Sequence, residues 1–113
     1  MTITIMGHKW KIKDKSPSED RLLMGCYAYC DFPDKTIIIS NPLKAPVNNQ
    51  KAMRKEVLRH EIVHACLEEC GLSDETLSTD NWATNEEMID WFAKKGPDIY
   101  KAWKDAGCLP EEN

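Results

Sequence analysis

The stretch Val57-Leu58-Arg59-His60-Glu61-Ile62-Val63-His64-Ala65-Cys66-Leu67-Glu68-Glu69-Cys70-Gly71-Leu72 decides how this chain is read. It is apolar enough to be a buried helix, yet it carries two imidazoles four residues apart with a carboxylate between them. Each helical residue turns by about 100°, so positions four apart lie within about 40° of each other. His60 and His64 therefore project side by side, one turn apart, where both can offer a neutral ring nitrogen to one zinc ion. Glu61 lies about 100° from His60 and about 60° from His64, on the flank of the same face. From there it reaches a water held on the ion rather than the ion itself. This is the H-E-x-x-H arrangement, with Glu61 as general base.

Working outward, the helix runs from about Gln50 to Cys70, with Asn48 or Asn49 as its N-cap and Gly71 as its C′ stop. Pro42 and Pro46 mark the preceding segment as a loop. Before it, Thr36-Ile37-Ile38-Ile39-Ser40 is a β-branched strand whose three consecutive isoleucines imply cover on both faces. Leu22 to Cys30 reads as its partner across a turn at Asp31 to Lys35. Met1 to Ile12 alternates Ile3 and Ile5, restarts at Trp10 and Ile12, and reads as two short strands or one hairpin.

Downstream, Ser73 to Thr84 is a polar linker containing Trp82. A helix follows over Asn85 to Lys95, stopped by Gly96-Pro97, and another over Asp98 to about Ala106, closed by Gly107. The expected fold is α+β in one domain spanning 1–113. A small antiparallel N-terminal sheet packs on the central helix, and the two C-terminal helices lie on that helix's other side. Ile37, Ile39, Met53, Val57, Trp91 and Phe92 are expected to be largely buried.

A length of 113 residues suits one modest core. The net charge of −4 supplies no basic field, which argues against a nucleic-acid or anionic-membrane partner. No stretch approaches the roughly 20 apolar residues of a spanning helix. The N-terminus lacks the apolar core and cleavage site of a signal peptide, so a cytoplasmic location is expected. Five cysteines, an odd count without an export signal, suggest free thiols. Cys66 and Cys70 stand six residues beyond His60 and His64, about 240° around the helix, and read as packing thiols. Cys26 and Cys30 read as core filling.

A catalytic zinc site needs a third protein ligand. The candidates are His8, Glu68, Glu69, Asp80, Glu86, Glu87 and Asp90. His8 reads as a hairpin surface residue, and Glu68 reaches back poorly along its own helix. Thr84 and Glu87 have capping-box spacing, which commits Glu87 to the helix start. Glu86 is then left free on the first turn, with Asp90 one turn above it.

The pair of motifs, H-E-I-V-H and then N-E-E-M-I-D over Asn85 to Asp90, resembles the gluzincin zinc peptidases, the thermolysin-like class, and in size the single-domain minigluzincins. The resemblance implies Glu86 as third zinc ligand, Asp90 as the partner that orients a ligating histidine (His60), and Zn2+ as cofactor. Asp90-Trp91-Phe92-Ala93 is similar to the glutamate helix of the ImmA/IrrE metallopeptidases of phages and mobile elements. The activity implied is peptide-bond hydrolysis by a water that Glu61 deprotonates. The substrate implied is a peptide or protein, such as a regulatory protein, extended along the strand at Thr36 to Ser40. The chain departs from the thermolysin pattern in that no histidine follows His64 to stabilise the transition state; Tyr27, Tyr29 and Tyr100 are available for that role. The alternative is a catalytically silent, zinc-containing regulatory or binding protein derived from a metallopeptidase. A third reading is a structural protein with a fortuitous motif.

Overall fold

Alternation builds the sheet. In β1 (Thr2–Ile5) the isoleucines are buried and the threonines are exposed, and β2 (His8–Lys15) repeats the pattern with Trp10 and Ile12. Between them Met6 and Gly7 both have positive φ, 49° and 82°, the two-residue turn whose twist suits an antiparallel pair. The computed structural model describes residues 1–43, 48–72 and 86–110, without the side chains at 86, 87, 89, 90 and 93.

The second hairpin joins β3 (Ala28–Asp31) to β4 (Thr36–Ser40), closed by the Lys35 N–H donating to the Phe32 carbonyl at 3.1 Å. Strand β4 enters between β3 and β2 and runs parallel to β2, so the sheet order is β1-β2-β4-β3. All five residues of β4 are buried, as the triple isoleucine predicts. The sheet is thus mixed, not wholly antiparallel. Each hairpin is antiparallel because its own turn makes it so, but how two hairpins meet is decided by tertiary packing. Residues 16–27 carry the chain to the far edge, and β4 then returns in the direction of β2. Part of the expected first strand is instead a 3-10 turn, Arg21–Met24, capped by the Asp20 carboxylate accepting from the Leu22 N–H.

Helix α1 (Gln50–Glu69) starts at Asn49, whose side chain accepts from the Ala52 N–H at 3.0 Å. It ends at Gly71, φ 72°, with Leu72 N–H bonded to the Leu67 carbonyl and Gly71 N–H to that of Glu68. These are the two bonds of a Schellman cap. Leu58, Ile62, Ala65 and Cys66 pack into one core with Trp10, Ile37 and Ile39. Polar ties fix the helix lengthwise. Gln50 bonds both backbone groups of Leu43, Arg54 pairs with Asp14 at 2.6 Å, and Glu69 accepts from Trp10 and Lys35.

Helix α2 is continuous from Glu86 to Asp105, so the two C-terminal helices expected from Gly96-Pro97 are one. A proline inside a helix forgoes a hydrogen bond and costs about 3 kcal/mol. Here the apolar stripe continues across it, with Trp91 half-buried before and Ile99, Ala102 and Ala106 buried after, while Pro97 itself is exposed. The continuing core contact outweighs the local break signal. This helix packs against both α1 and β1, not behind α1, because Ile99, Ala102 and Cys108 join the same core as Ile3 and Ile5. The Trp103 indole donates to the Arg59 carbonyl, and the Arg59 guanidinium donates to that of Cys108, locking the pair. Phe92 is 44% exposed, since one helical step from Trp91 turns it off the stripe. Met53 and Val57 are only partly buried, for they border an open groove. No described helix is long and apolar enough to cross a membrane.

Candidate metal centre

His60 and His64 occupy consecutive turns of α1, both exposed, with their rings 4.7 Å apart and inclined by 69°. Their Nε2 atoms are 3.1 Å from each other. Two ligands of a tetrahedral zinc at 2.0–2.1 Å stand about 3.3 Å apart, so the pair is spaced as one ion requires. His60, Glu61 and His64 place their ligating atoms all within 4.8 Å of one another. Among the described residues this is the group of three or more such side chains that could hold a metal.

Glu61 is 8% exposed, a buried carboxylate on the flank of α1 toward the sheet. What meets it there is Cys30 of β3. The Cys30 thiol lies 3.6 Å from Glu61 Oε1 and 3.4 Å from the Glu61 carbonyl oxygen, donating to one or the other. Burial, and after it the neighbouring Glu61 charge, push the Cys30 thiol well above its ordinary range. It therefore stays protonated, a donor beside the carboxylate rather than a nucleophile. Sequence reading placed Cys30 in the core without this contact. Strand alternation turns Ala28 and Cys30 to one face, but nothing in the spacing says which helical residue lies opposite.

Beside the pair runs a groove of about 360 Å³, lined by Tyr27, Ala28, Met53, Val57, His60 and Glu61, with Cys26 and Glu56 at its margin. Strand β3 is the sheet's edge on this side. The expectation that Thr36 to Ser40 lies beside an extended substrate is corrected, because β4 is paired on both sides and β3 is the edge strand among the described residues. Of the three tyrosines, Tyr27 lines the groove. Tyr29 donates to the Asp20 carboxylate, and burial followed by that bond pushes its pKa up to about 12. Tyr100 is exposed on α2.

Other expected positions separate cleanly. His8 is exposed on β2, 3.7 Å from Glu69. Cys66 is fully buried and Cys70 partly, and all five cysteines are free thiols. Glu86 begins α2, but its side chain, with those of Glu87 and Asp90, lies outside the described residues, as do Asp80, Trp82 and Thr84 altogether. A cavity of about 730 Å³ between Glu69, Trp91, Asp98 and Lys101 is bordered by neither histidine and is not part of this centre. No family model, curated protein or solved structure matches the chain.

Proposed function

We propose that this protein is a small zinc-dependent metallopeptidase of gluzincin type. The observation that carries the reading is the His60 and His64 Nε2 pair, 3.1 Å apart, flanked by the buried Glu61. The donor set, two imidazoles and a carboxylate, suits zinc. His60 and His64 would hold the ion with Glu86 as third ligand, and Asp90 would accept from the outer nitrogen of His60. When bound, zinc supplies acidification of a water and polarisation of a carbonyl.

The chain's own residues do the rest. Glu61 takes a proton at one carboxylate oxygen and returns it to the leaving amine. The Cys30 thiol, 3.6 Å from Oε1 and 3.4 Å from the Glu61 carbonyl oxygen, is the protein donor beside that carboxylate. The open edge of β3 offers backbone N–H and C=O groups to an extended peptide, in the manner of strand addition. Tyr27 is the groove tyrosine available to a developing oxyanion. The substrate class is a peptide or protein, a regulatory protein fitting a phage or mobile-element setting, and the location is the cytoplasm.

A silent zinc-containing regulator is the second reading, since the same His60 and His64 pair would hold zinc without turnover. Metal analysis and cleavage assays on the same variants separate the two. Wild type should hold one zinc per chain, lost in His60→Ala and His64→Ala. Glu61→Gln should keep the zinc and lose at least about a hundredfold in cleavage. Glu86→Ala should lose zinc affinity far more than Glu87→Ala, and Asp90→Ala should lose about ten- to a hundredfold. Zinc binding without cleavage in wild type selects the silent regulator; a wild type that binds no zinc rejects both.

A further inference from the structure

The groove beside His60 has one carboxylate that the proposed chemistry leaves unused. Glu56 stands one helical turn before His60 on the same face of α1, exposed at the groove margin. It has no hydrogen-bond or ion-pair partner among the described residues, whereas neighbouring Arg54 and Arg59 are committed to Asp14 and to the Cys108 carbonyl. The groove wall between Glu56 and His60 is apolar, made by Met53, Val57, Tyr27 and Ala28, each partly buried.

We infer that this groove takes a lysine or arginine side chain of the bound peptide, its aliphatic stem on Met53 and Val57 and its cationic end at Glu56. The inference rests on the metallopeptidase reading for the peptide's presence, and names its side-chain preference. Length supports it: four residues of helix rise about 6 Å, close to the reach of a four-carbon stem from its backbone. Chemistry supports it as well. A long basic side chain lays its methylenes on apolar surface while its head stays near water, which is how this groove is built. A neutral apolar side chain would fill the same wall and leave the Glu56 carboxylate without a partner. An acidic one would meet two carboxylates, Glu56 and Glu61. On its other flank Glu56 faces Lys51 and Lys55 across a second, smaller groove, and their field keeps the expected preference moderate.

The test reads binding, not turnover. Full-length Glu61→Gln, loaded with zinc, is titrated with fluorescein-labelled alanine peptides carrying one lysine, norleucine or glutamate, and anisotropy gives Kd. Lysine and norleucine share a stem and differ in the charge. The lysine peptide should bind about five- to tenfold tighter than the norleucine peptide at low salt, and the glutamate peptide weakest. Adding Glu56→Gln should erase the lysine preference, and adding Glu56→Lys should reverse the order of lysine and glutamate. Equal affinities for lysine and norleucine, including no measurable binding of either, overturn the proposal, as does a lysine preference that survives Glu56→Gln. A preference that depends on Glu56 supports the groove assignment even where wild type leaves the lysine peptide intact. In that case it is the peptidase reading that falls.

Discussion

Glu69 is the group through which the end of α1 holds the sheet, and its removal has a calculable cost. Its side chain is 7% exposed; it accepts from the Trp10 indole at 3.0 Å and from the Lys35 ammonium at 2.8 Å on each oxygen. Trp10 is fully buried, so in Glu69→Leu its N–H has no acceptor, at about 1–3 kcal/mol. Lys35 is 39% exposed and can turn to water, so its share is that of a surface pair, about 0.5–1 kcal/mol. Glu69→Leu should therefore cost about 2–3 kcal/mol in urea unfolding at pH 7, with unchanged m. Glu69→Gln keeps an oxygen for Trp10 and should cost about 1 kcal/mol. The same geometry sets the acid behaviour. Burial works to raise the Glu69 pKa, but hydrogen bonds from Lys35 and Trp10 outweigh it and leave the pKa below the ordinary range. A depressed folded pKa gives stability that is complete above the unfolded value and is lost as pH falls through the folded one. The gap between wild type and Glu69→Gln should thus be full at pH 7 and close below about pH 4. Equal costs for Gln and Leu, or a gap that widens in acid, would refute the clamp.

Gly96→Ala should stabilise the chain by about 0.5–1 kcal/mol in thermal or urea unfolding, since Gly96 lies inside α2 and a Cβ there meets nothing within 4 Å. Destabilisation would mean that α2 is broken at Gly96-Pro97 in solution. Native protein at pH 8 should alkylate Cys66 and Cys108 only on unfolding, because burial raises both thiols, Cys66 to about 12; mass mapping of the labelled sites checks this. His60→Ala should keep the circular dichroism and urea midpoint of the wild-type apoprotein within about 0.5 kcal/mol, as an exposed side chain outside the core. An apoprotein unfolded at 25 °C would make the metal structural rather than catalytic.

Local signals were legible where one residue type decides the backbone. Asn49 and Gly71 bracket α1 as their chemistry requires, and the triple isoleucine of β4 announced a strand covered on both faces. The His60 and His64 pair was legible because helical spacing alone brings the two rings together. The β3–β4 hairpin and the packing of the sheet on α1 held, while other inferences across elements failed. Gly96-Pro97 is a strong break signal in isolation, yet Ile99, Ala102 and Ala106 belong to the core that α2 also enters through its first half. The parallel step from β2 to β4, and with it the transfer of the open edge from β4 to β3, depends on a return path that leaves no periodic trace. Cys30 was invisible for the same reason, since its meaning lies in Glu61, 31 residues away.

The angular layout of α1 explains why the site could be read while its surroundings could not. With Ile62 as the centre of the core face, Leu58 and Cys66 lie about 40° to either side and Glu69 about 20° away. These positions are buried or turned to the sheet. Glu61 lies about 100° around, at the border where Cys30 meets it, and His60 and His64 lie about 160° around, on the outer face. The core therefore constrains the histidines only through the helix that carries them. Whatever completes a metal site must reach that outer face from elsewhere in the chain, because Glu68, one turn beyond His64 and about 40° from it, reaches back poorly along its own helix. That requirement is what makes a carboxylate at the start of α2, supplied from across a linker, the demanding test of the zinc reading. Glu86→Ala against Glu87→Ala, read as zinc affinity, decides it.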